Sequence, residues 1–430
     1  MYIKKVEFTN LRCFKHGEMD FRYPGDGVTV PDGVPNLENV NLILGVNGAG
    51  KTTALKAVVL PFLAYLTQMG YRPYELVRRN ENIEFGESNI SVNAILQYNE
   101  QKYITTSDKT NNPTNINLET ITIEAHIQKY TNNEGISTLN QNIEPTIFFD
   151  DISPEFFIVA YGANRRSEEE EDSSRLKRRS RRYERVAGLF EESFASQNYQ
   201  SWFSSQRKTS RKSEIVFLLN KLLPEDSGLE VHNQKDLVFR QHDTEIPFPA
   251  LPDGYRSYIG WIFDLLSHLN TLATNTSISN QPGVVLVDEI DLHIHPSWQK
   301  NIIQQVAKAL PKLQFIFTTH SPIVAGSVSR QNLWIVKTAE DGSSVLERPS
   351  REIYGLNADQ ILTSDIFGLQ STRAEGFLKE LDKLEQKAIR GDEDAALALM
   401  RGMALGKGAV EPKEPPAWVK QAAKKLRKQS

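Results

Sequence analysis

Residues 40–60 read VNLILGVNGAGKTTALKAVVL, and the middle of this stretch decides the fold. GVNGAGKT, residues 45–52, fits G-x-x-x-x-G-K-[ST], with the apolar run NLIL before it and a helical pattern starting at Lys51. Gly45, Gly48 and Gly50 let backbone N–H groups wrap a phosphate chain, and Asn47, Ala49 and Thr53 complete the loop and its first helical turn. The start of a helix adds a dipole that favours anions. Lys51 is placed to pair with the β- and γ-phosphates of a nucleoside triphosphate such as ATP, and the Thr52 hydroxyl to bind Mg²⁺. A strand, a glycine loop and a helix in this order imply an α/β fold whose strands end at the phosphate site.

Two later stretches belong to the same edge. VVLVDE (284–289) is a buried apolar strand that delivers Asp288 and Glu289 at its carboxyl end. Asp288 is expected to hold Mg²⁺, and Glu289 to polarise an attacking water as general base. FIFTTHSP (315–322) ends a second buried strand on His320, which suits the γ-phosphate or the water. In DLHIHP (291–296), His293 and His295 sit at i and i+2 and point to opposite sides, a poor geometry for one metal. They read as structural or loop-contact residues, and Asp291 and His293 as reaching either the nucleotide or a facing subunit. LPDGYRS (251–257) looks like an ordinary turn that opens the helical run YRSYIGWIFDLL.

Composition sets the outer bounds. The 430 residues are 39% apolar and 24% charged, as in a globular protein of two or three compact units or one large domain with insertions. A formal charge of -4 removes any whole-chain electrostatic case for nucleic acid. The single cysteine, Cys13, excludes an internal disulfide and a multi-cysteine zinc site and fits a reducing cytoplasm. The chain opens on an amphipathic strand rather than a leader, and VVLPFLAYL (58–66) is too short, and broken by Pro61, to span a membrane. A cytosolic protein is expected.

Along the chain, IKKVEF (3–8), VNLILG (40–45), NISVNAILQY (89–98) and ITIEAHIQ (121–128) read as strands. An acidic run then precedes a basic one, with seven basic residues in 175–185. That run is either a solvated face or a contact for phosphates, and the acidic run beside it would neutralise it. LWIVKT and SVLER form a hairpin (333–348), and helices follow from about residue 355. In EGFLKELDKLEQKAI, Phe377, Leu378, Leu381, Leu384 and Ile389 fall near one face. The expected divisions are 1–163 for the first part of the phosphate-binding unit, 164–235 for a charged helical insertion, 236–350 for its second part, and 351–430 for a helical extension that docks a partner.

Together GVNGAGKTT, LPDGYRS, VVLVDEIDLHIHP and FTTHSP resemble the head of an ABC-type ATPase, in the branch of RecF, the structural-maintenance proteins and the overcoming-lysogenization-defect ATPases. The resemblance covers most of residues 1–350, and its histidine-rich forms are similar to bacterial anti-phage ATPase subunits of the Septu, PARIS and retron-associated kinds. It implies a mixed sheet with an antiparallel β lobe, and ATP with Mg²⁺ as ligands. It also implies that Arg12, in NLRCF (10–14), reaches the nucleotide. In that family two heads face each other, and each signature caps the γ-phosphate held by the other. Leu251, Asp253, Gly254, Tyr255 and Arg256 occupy the signature's place. Pro252 stands where the family has a serine, so Asp253 or Tyr255 would have to supply that contact. The glutamine loop has no obvious equivalent; IVAYGANRR (158–166) contains no Gln, and Arg165 or Arg166 would serve there.

The roughly 200 residues between P-loop and signature show no sustained heptads, which excludes a long coiled-coil arm. The resemblance therefore implies an ATPase that assembles with itself and controls a separate effector, a nuclease. The alternative is a RecF-like repair ATPase that binds duplex DNA through 175–185 and the basic tail. A built-in TOPRIM nuclease is disfavoured, because Asp392 and Asp394 lie in a helical stretch without a preceding strand.

Overall fold

The computed structural model describes residues 1–63, 76–78, 86–99, 116–130, 133–141, 156–164, 166–167, 181–191, 195–196, 199–206, 209–224, 227–232, 236–241, 244–247, 250–273 and 276–405. Two units are distinguished by their internal contacts, Met1–Gly368 and Leu369–Ser430.

The first unit is built on a long sheet. Its strands in chain order are β1 Tyr2–Leu11, β2 Phe14–Asp20, β3 Val40–Gly45, β4 Gly86–Asn99, β5 Ile116–Tyr130, β6 Asn133–Gln141 and β7 Ile158–Tyr161. After the short pair β8 Arg166–Ser167 and β9 Ala195–Ser196 come β10 Ser227–His232, β11 Asp236–Gln241 and β12 Thr244–Pro247. β13 Gly283–Val287, β14 Leu313–Thr319, β15 Leu333–Thr338 and β16 Ser344–Glu347 complete the series. Among the described residues the main sheet runs β6-β5-β4-β1-β2-β16-β15-β3-β14-β13-β7. From β7 to β15 its neighbours are parallel, whereas β1, β2, β4, β5 and β6 pair antiparallel. This mixed sheet with an antiparallel lobe is the expected fold class. β10, β11 and β12 form a separate antiparallel sheet.

Period-2 alternation explains why the central strands are apolar throughout. Leu42, Leu44, Val285, Val287, Phe315 and Phe317 enter one core, while Ile43, Val284, Leu286 and Ile316 enter the core on the other face. On the second face lies α1 (Lys51–Leu63), nearly all of it buried. The helices numbered next are α2 Arg181–Glu184, α3 Tyr199–Ser205, α4 Thr209–Leu222 and α5 Asp253–Leu272. α5 presents Ile259, Ile262, Phe263, Leu266 and Leu269 to the first core, beside Phe203 of α3 and Ile215 and Leu219 of α4. Residues of the expected insertion thus share the core of the sheet, and the division between units falls at Gly368. α6 Pro296–Gln299, α7 Ile302–Ala309, α8 Pro322–Ala325 and α9 Ala358–Leu362 follow.

In the second unit α10 (Glu375–Ile389) and α11 (Glu393–Leu405) pack together, so closely that a Cβ on Gly402 would lie 2.8 Å from Leu381. Leu381 is buried there, but Ile389, expected on the same face, is 78% exposed. Asp392 caps α11 through a bond from Ala395 N–H (3.0 Å). Of the described helices, none is long and apolar enough to cross a membrane.

Candidate active site

The loop after β3 turns on Gly48 and Gly50, with φ of 80° and 111°. Gly50 is doubly constrained, because a Cβ there would lie 2.5 Å from Cys13 Sγ and 2.8 Å from the Phe14 ring. The loop is thereby seated on the turn between β1 and β2 that carries Arg12. Arg12 is half-buried with φ of 47°, its N–H bonded to Leu76 O (2.8 Å). Arg78, which the sequence reading missed, donates to Cys13 O and to Arg12 O (3.4 Å) from the neighbouring segment. Gly45 abuts β15, and Val46 and Asn47 are exposed at the loop tip, whereas Ala49 and Thr53 are buried.

Lys51 folds back on its own loop, donating to Gly45 O (2.9 Å) and Val46 O (3.1 Å). Burial pushes its pKa below the usual lysine value, and the charges of Glu289, Asp288 and Asp291 pull the other way. Thr52 Oγ1 donates to Asp288 Oδ2 at 2.6 Å, so the motifs read 236 positions apart meet directly. A hydroxyl and a carboxylate are hard oxygen donors and fit Mg²⁺.

Register explains what surrounds Asp288. Val287 pairs with Phe317, so the next residues, Asp288 just past the end of β13 and Thr318 still within β14, stand side by side. The Thr318 hydroxyl is fully buried, donates to Asp288 Oδ1 and accepts the Glu289 N–H (2.7 Å). Glu289 has φ of 49°, a left-handed conformation that costs a residue with a side chain about 1–3 kcal/mol. Thr318 is part of what holds it there. One turn on, Asp291 is buried, accepting from Thr319 Oγ1 and standing 3.5 Å from His320 Nδ1. Asp291 is thus enclosed against β14 and faces the histidine, while its charge also acts on Lys51. His320 itself is 44% exposed. Neither threonine was singled out from the sequence, although the TT before His320 is the one available signal, since consecutive strand residues serve opposite faces.

The LPDGYRS turn docks on the loop after Glu289. A Cβ on Gly254 would lie 2.2 Å from His293 O, and His293 has φ of 64°. Tyr255 stacks on Trp298 with centroids 5.7 Å apart and meets Phe239 edge-on at 5.3 Å. Its hydroxyl accepts from Gln241 (3.4 Å), so the ring is engaged inside the chain. Leu251 is buried in the core, and Pro252 is exposed at the start of α5. Arg256 is half-buried, with its N–H bonded to Pro252 O (3.1 Å). The Asp253 side chain lies outside the described residues. His295 caps α6, accepting at Nδ1 from Ser297 N–H (3.3 Å), which fits the structural reading of that histidine.

Two other expectations fare differently. Arg182 and Arg185 of the basic run are buried, over the rings of Phe156 and Phe157, and so are withdrawn from any nucleic-acid surface. Residues 168–180, Arg165 and the tail 417–430 lie outside the described residues, as does the side chain of Arg166.

Residues 40–325 match the family described as an AAA domain, putative AbiEii toxin of a type IV toxin–antitoxin system, over about two thirds of the chain. The chain belongs to this family. It is therefore an ATPase-type domain, and the relatives are of two kinds that the motifs suggested. It is 34% identical over 142 residues to the Retron Ec83 probable ATPase of Escherichia coli, covering 33% of this chain and 26% of that protein. It is 24% identical over 378 residues to the Septu protein PtuA of Bacillus mycoides, covering 86% of this chain and 45% of that one. The chain thus spans about a quarter and just under half of these two relatives. The SMC head domain of Thermotoga maritima superposes with a TM-score of 0.46 at 13% identity, over 82% of this chain and all of that one, too loosely to carry an argument.

Proposed function

We propose that this protein hydrolyses ATP at a site completed by a second copy, as the regulatory ATPase of a bacterial anti-phage system with a separate effector nuclease. The observation that carries the catalytic part is the hydrogen-bonded row Thr52–Asp288–Thr318–Glu289, which ties P-loop, acid pair and β14 into one unit. Lys51 would leave its loop carbonyls for the phosphates, and Glu289 would take a proton from the attacking water. The contact from Asp291 favours the proton on His320 Nδ1, leaving Nε2 for a phosphate oxygen or the water. Mg²⁺ held by Thr52 and Asp288 would offset the charge of the phosphate oxygens.

From the facing copy, Arg256 and the N–H groups that open α5 would approach the γ-phosphate. Gly254 is already in contact with His293 of its own chain, so a bulky substitution there disturbs more than the dimer. Arg256→Glu is the cleaner test of the facing role. The defence role rests on the names of the Septu and retron relatives. A repair ATPase gripping DNA through 175–185 is disfavoured by the burial of Arg182 and Arg185.

The test is Glu289→Gln in saturating ATP, followed by native mass spectrometry. A trapped, nucleotide-filled dimer that Arg256→Glu abolishes without loss of ATP binding is expected. A monomer throughout would refute the composite site. Purification of the tagged chain from its host then reads the effector; a nuclease in fixed ratio is expected, and its absence would remove the regulatory role.

A further inference from the structure

A cavity lies at the end of the central strands away from the P-loop. Its lining includes Arg22, whose main chain is hydrogen-bonded to the Asn41 side chain at the start of β3, and Gln331, just ahead of β15, whereas the P-loop follows the end of β3. Its volume is about 630 Å³, within the range of small-molecule sites. Four cationic residues line it: Lys4, Lys5, Arg22 and Arg348.

The backbone is irregular where the lysines stand. Ile3 pairs with Ala94 and Lys5 with Asn93, so Lys4 is an extra residue in a β-bulge. Neighbouring strand residues ordinarily face opposite sides of a sheet, but the bulge brings Lys4 and Lys5 to one cavity. Bulges that re-aim side chains recur beside binding sites.

The arginines carry more donor capacity than the protein uses. Arg22 is 3% exposed and forks onto Asp26, with Nη2 also donating to Val28 O (3.2 Å) and Asn36 Oδ1 (3.1 Å). Its Nη1 is buried without a hydrogen-bond partner, a rare and costly state for a guanidinium. Arg348 lies 4.3 Å over the Trp334 ring, and its Nη1 and Nη2 donate to the main-chain carbonyls of Gln331 and Asp20, each at 2.7 Å. Carbonyls satisfy its N–H groups without cancelling its charge. Lys5 is paired with Glu18 (2.7 Å) and Arg22 with Asp26, so Lys4 and Arg348 stand against the one remaining acid of the lining, Asp20, and the cavity keeps a small positive excess. Thr122 donates to Asn93 Oδ1 (2.8 Å), which leaves the Asn93 amide N–H groups as further donors at the wall.

We propose that this cavity binds a small phosphate-bearing molecule of about mononucleotide size, with the phosphate on Lys4, Arg22 and Arg348. The site is separate from the P-loop, about five strand residues or roughly 17 Å along β3. A ligand there would touch β1, β4 and β5 of the antiparallel lobe together with Gln331 and Arg348, which flank the β15–β16 hairpin beside the parallel block, so it would bias the ATPase from behind.

The experiment is calorimetric titration of inorganic pyrophosphate into the full chain carrying Lys51→Ala, which weakens the P-loop as a competing site. Binding is expected to persist, and to weaken at least about tenfold when Lys4→Ala or Arg348→Gln is added, as loss of a charge-assisted bond implies. The two added substitutions guard each other, since only one needs to leave the melting temperature unchanged. No heat of binding in the Lys51→Ala protein would overturn the proposal. Binding that is indifferent to both Lys4→Ala and Arg348→Gln would overturn it equally.

Discussion

Thr318→Val is the substitution that most directly tests how the catalytic edge is held. Valine keeps the shape of threonine and its preference for a strand, so the change removes a hydroxyl and little else. That hydroxyl is fully buried and makes two bonds, one to Asp288 Oδ1 and one from Glu289 N–H. An unpartnered buried N–H costs about 1–3 kcal/mol, and a lost bond to a carboxylate about 1.5–3 kcal/mol. Water at this edge recovers part of both, so about 3–4 kcal/mol is expected, a large share of the stability of an ordinary domain.

The consequence for chemistry follows from the backbone of Glu289. Its left-handed conformation is uphill by about 1–3 kcal/mol, and the Thr318 bond opposes that strain. Once the bond is gone, that restraint on the Glu289 backbone is lost, and with it the placement of its carboxylate. Steady-state ATP hydrolysis should fall at least about tenfold, within the range that a general base supplies, while ATP affinity changes little. Thr318→Ser is the control: it keeps both hydrogen bonds and loses one methyl, about 1 kcal/mol. A valine variant that melts and turns over like the parent would refute the reasoning. So would a serine variant as damaged as the valine one.

Further expectations concern the same edge and its surroundings. Gly254→Ala should lower the melting temperature of the nucleotide-free monomer, because its Cβ meets His293 O at 2.2 Å within one chain. A glycine needed only for a facing copy would leave that melt unmoved. Asp291→Asn should reduce turnover about tenfold with ATP affinity unchanged, since the carboxylate is bonded to Thr319 and faces His320. Loss of nucleotide binding in that variant would count against the assignment. Tyr2, whose hydroxyl donates to Lys312 O (2.9 Å), has its pKa pushed up from 10.0 to about 12 by burial. A raised folded pKa makes its contribution complete below pH 10 and lost as pH climbs through about 12. The stability difference between parent and Tyr2→Phe should therefore shrink by roughly 3 kcal/mol between those pH values, and a difference flat with pH would contradict it.

How much of this was legible from the chain depends on how far apart the interacting residues lie in it. The P-loop is local: glycines, Lys51 and Thr52 lie within eight positions, and their spacing alone carries the loop and the helix start that the structure shows. Asp288 and Glu289 were legible because an apolar strand must end somewhere and an acid pair marked the end. Thr318 and Asp291 were not assigned their parts, because each acts across a parallel strand pair whose register is a tertiary fact. Shifting β14 by one residue against β13 would put Thr319 beside Asp288 and turn Thr318 away, and nothing local in FIFTTHSP forbids it. The burial of Arg182 and Arg185 was hidden in the same way, by aromatic rings contributed from Phe156 and Phe157.

The LPDGYRS turn shows the strongest form of this limit. Its glycine suggested close approach by a phosphate, and close approach is indeed what the structure requires, but by the carbonyl of His293 in the same chain. The two roles share a mechanism rather than compete. Tyr255 and Tyr258 both pack on Trp298, so α5 cannot tilt at its first turn without moving the segment between Glu289 and α6. A phosphate engaged by the start of α5 from a facing copy would therefore press on His293, four residues beyond Glu289 in the same loop. On the proposed mechanism, assembly and the placement of Glu289 would then become one event. Trp298→Ala should separate them: dimer formation by the Glu289→Gln chain would persist, while hydrolysis per dimer in the otherwise unaltered chain would fall about tenfold, and parental turnover in that variant would refute the link.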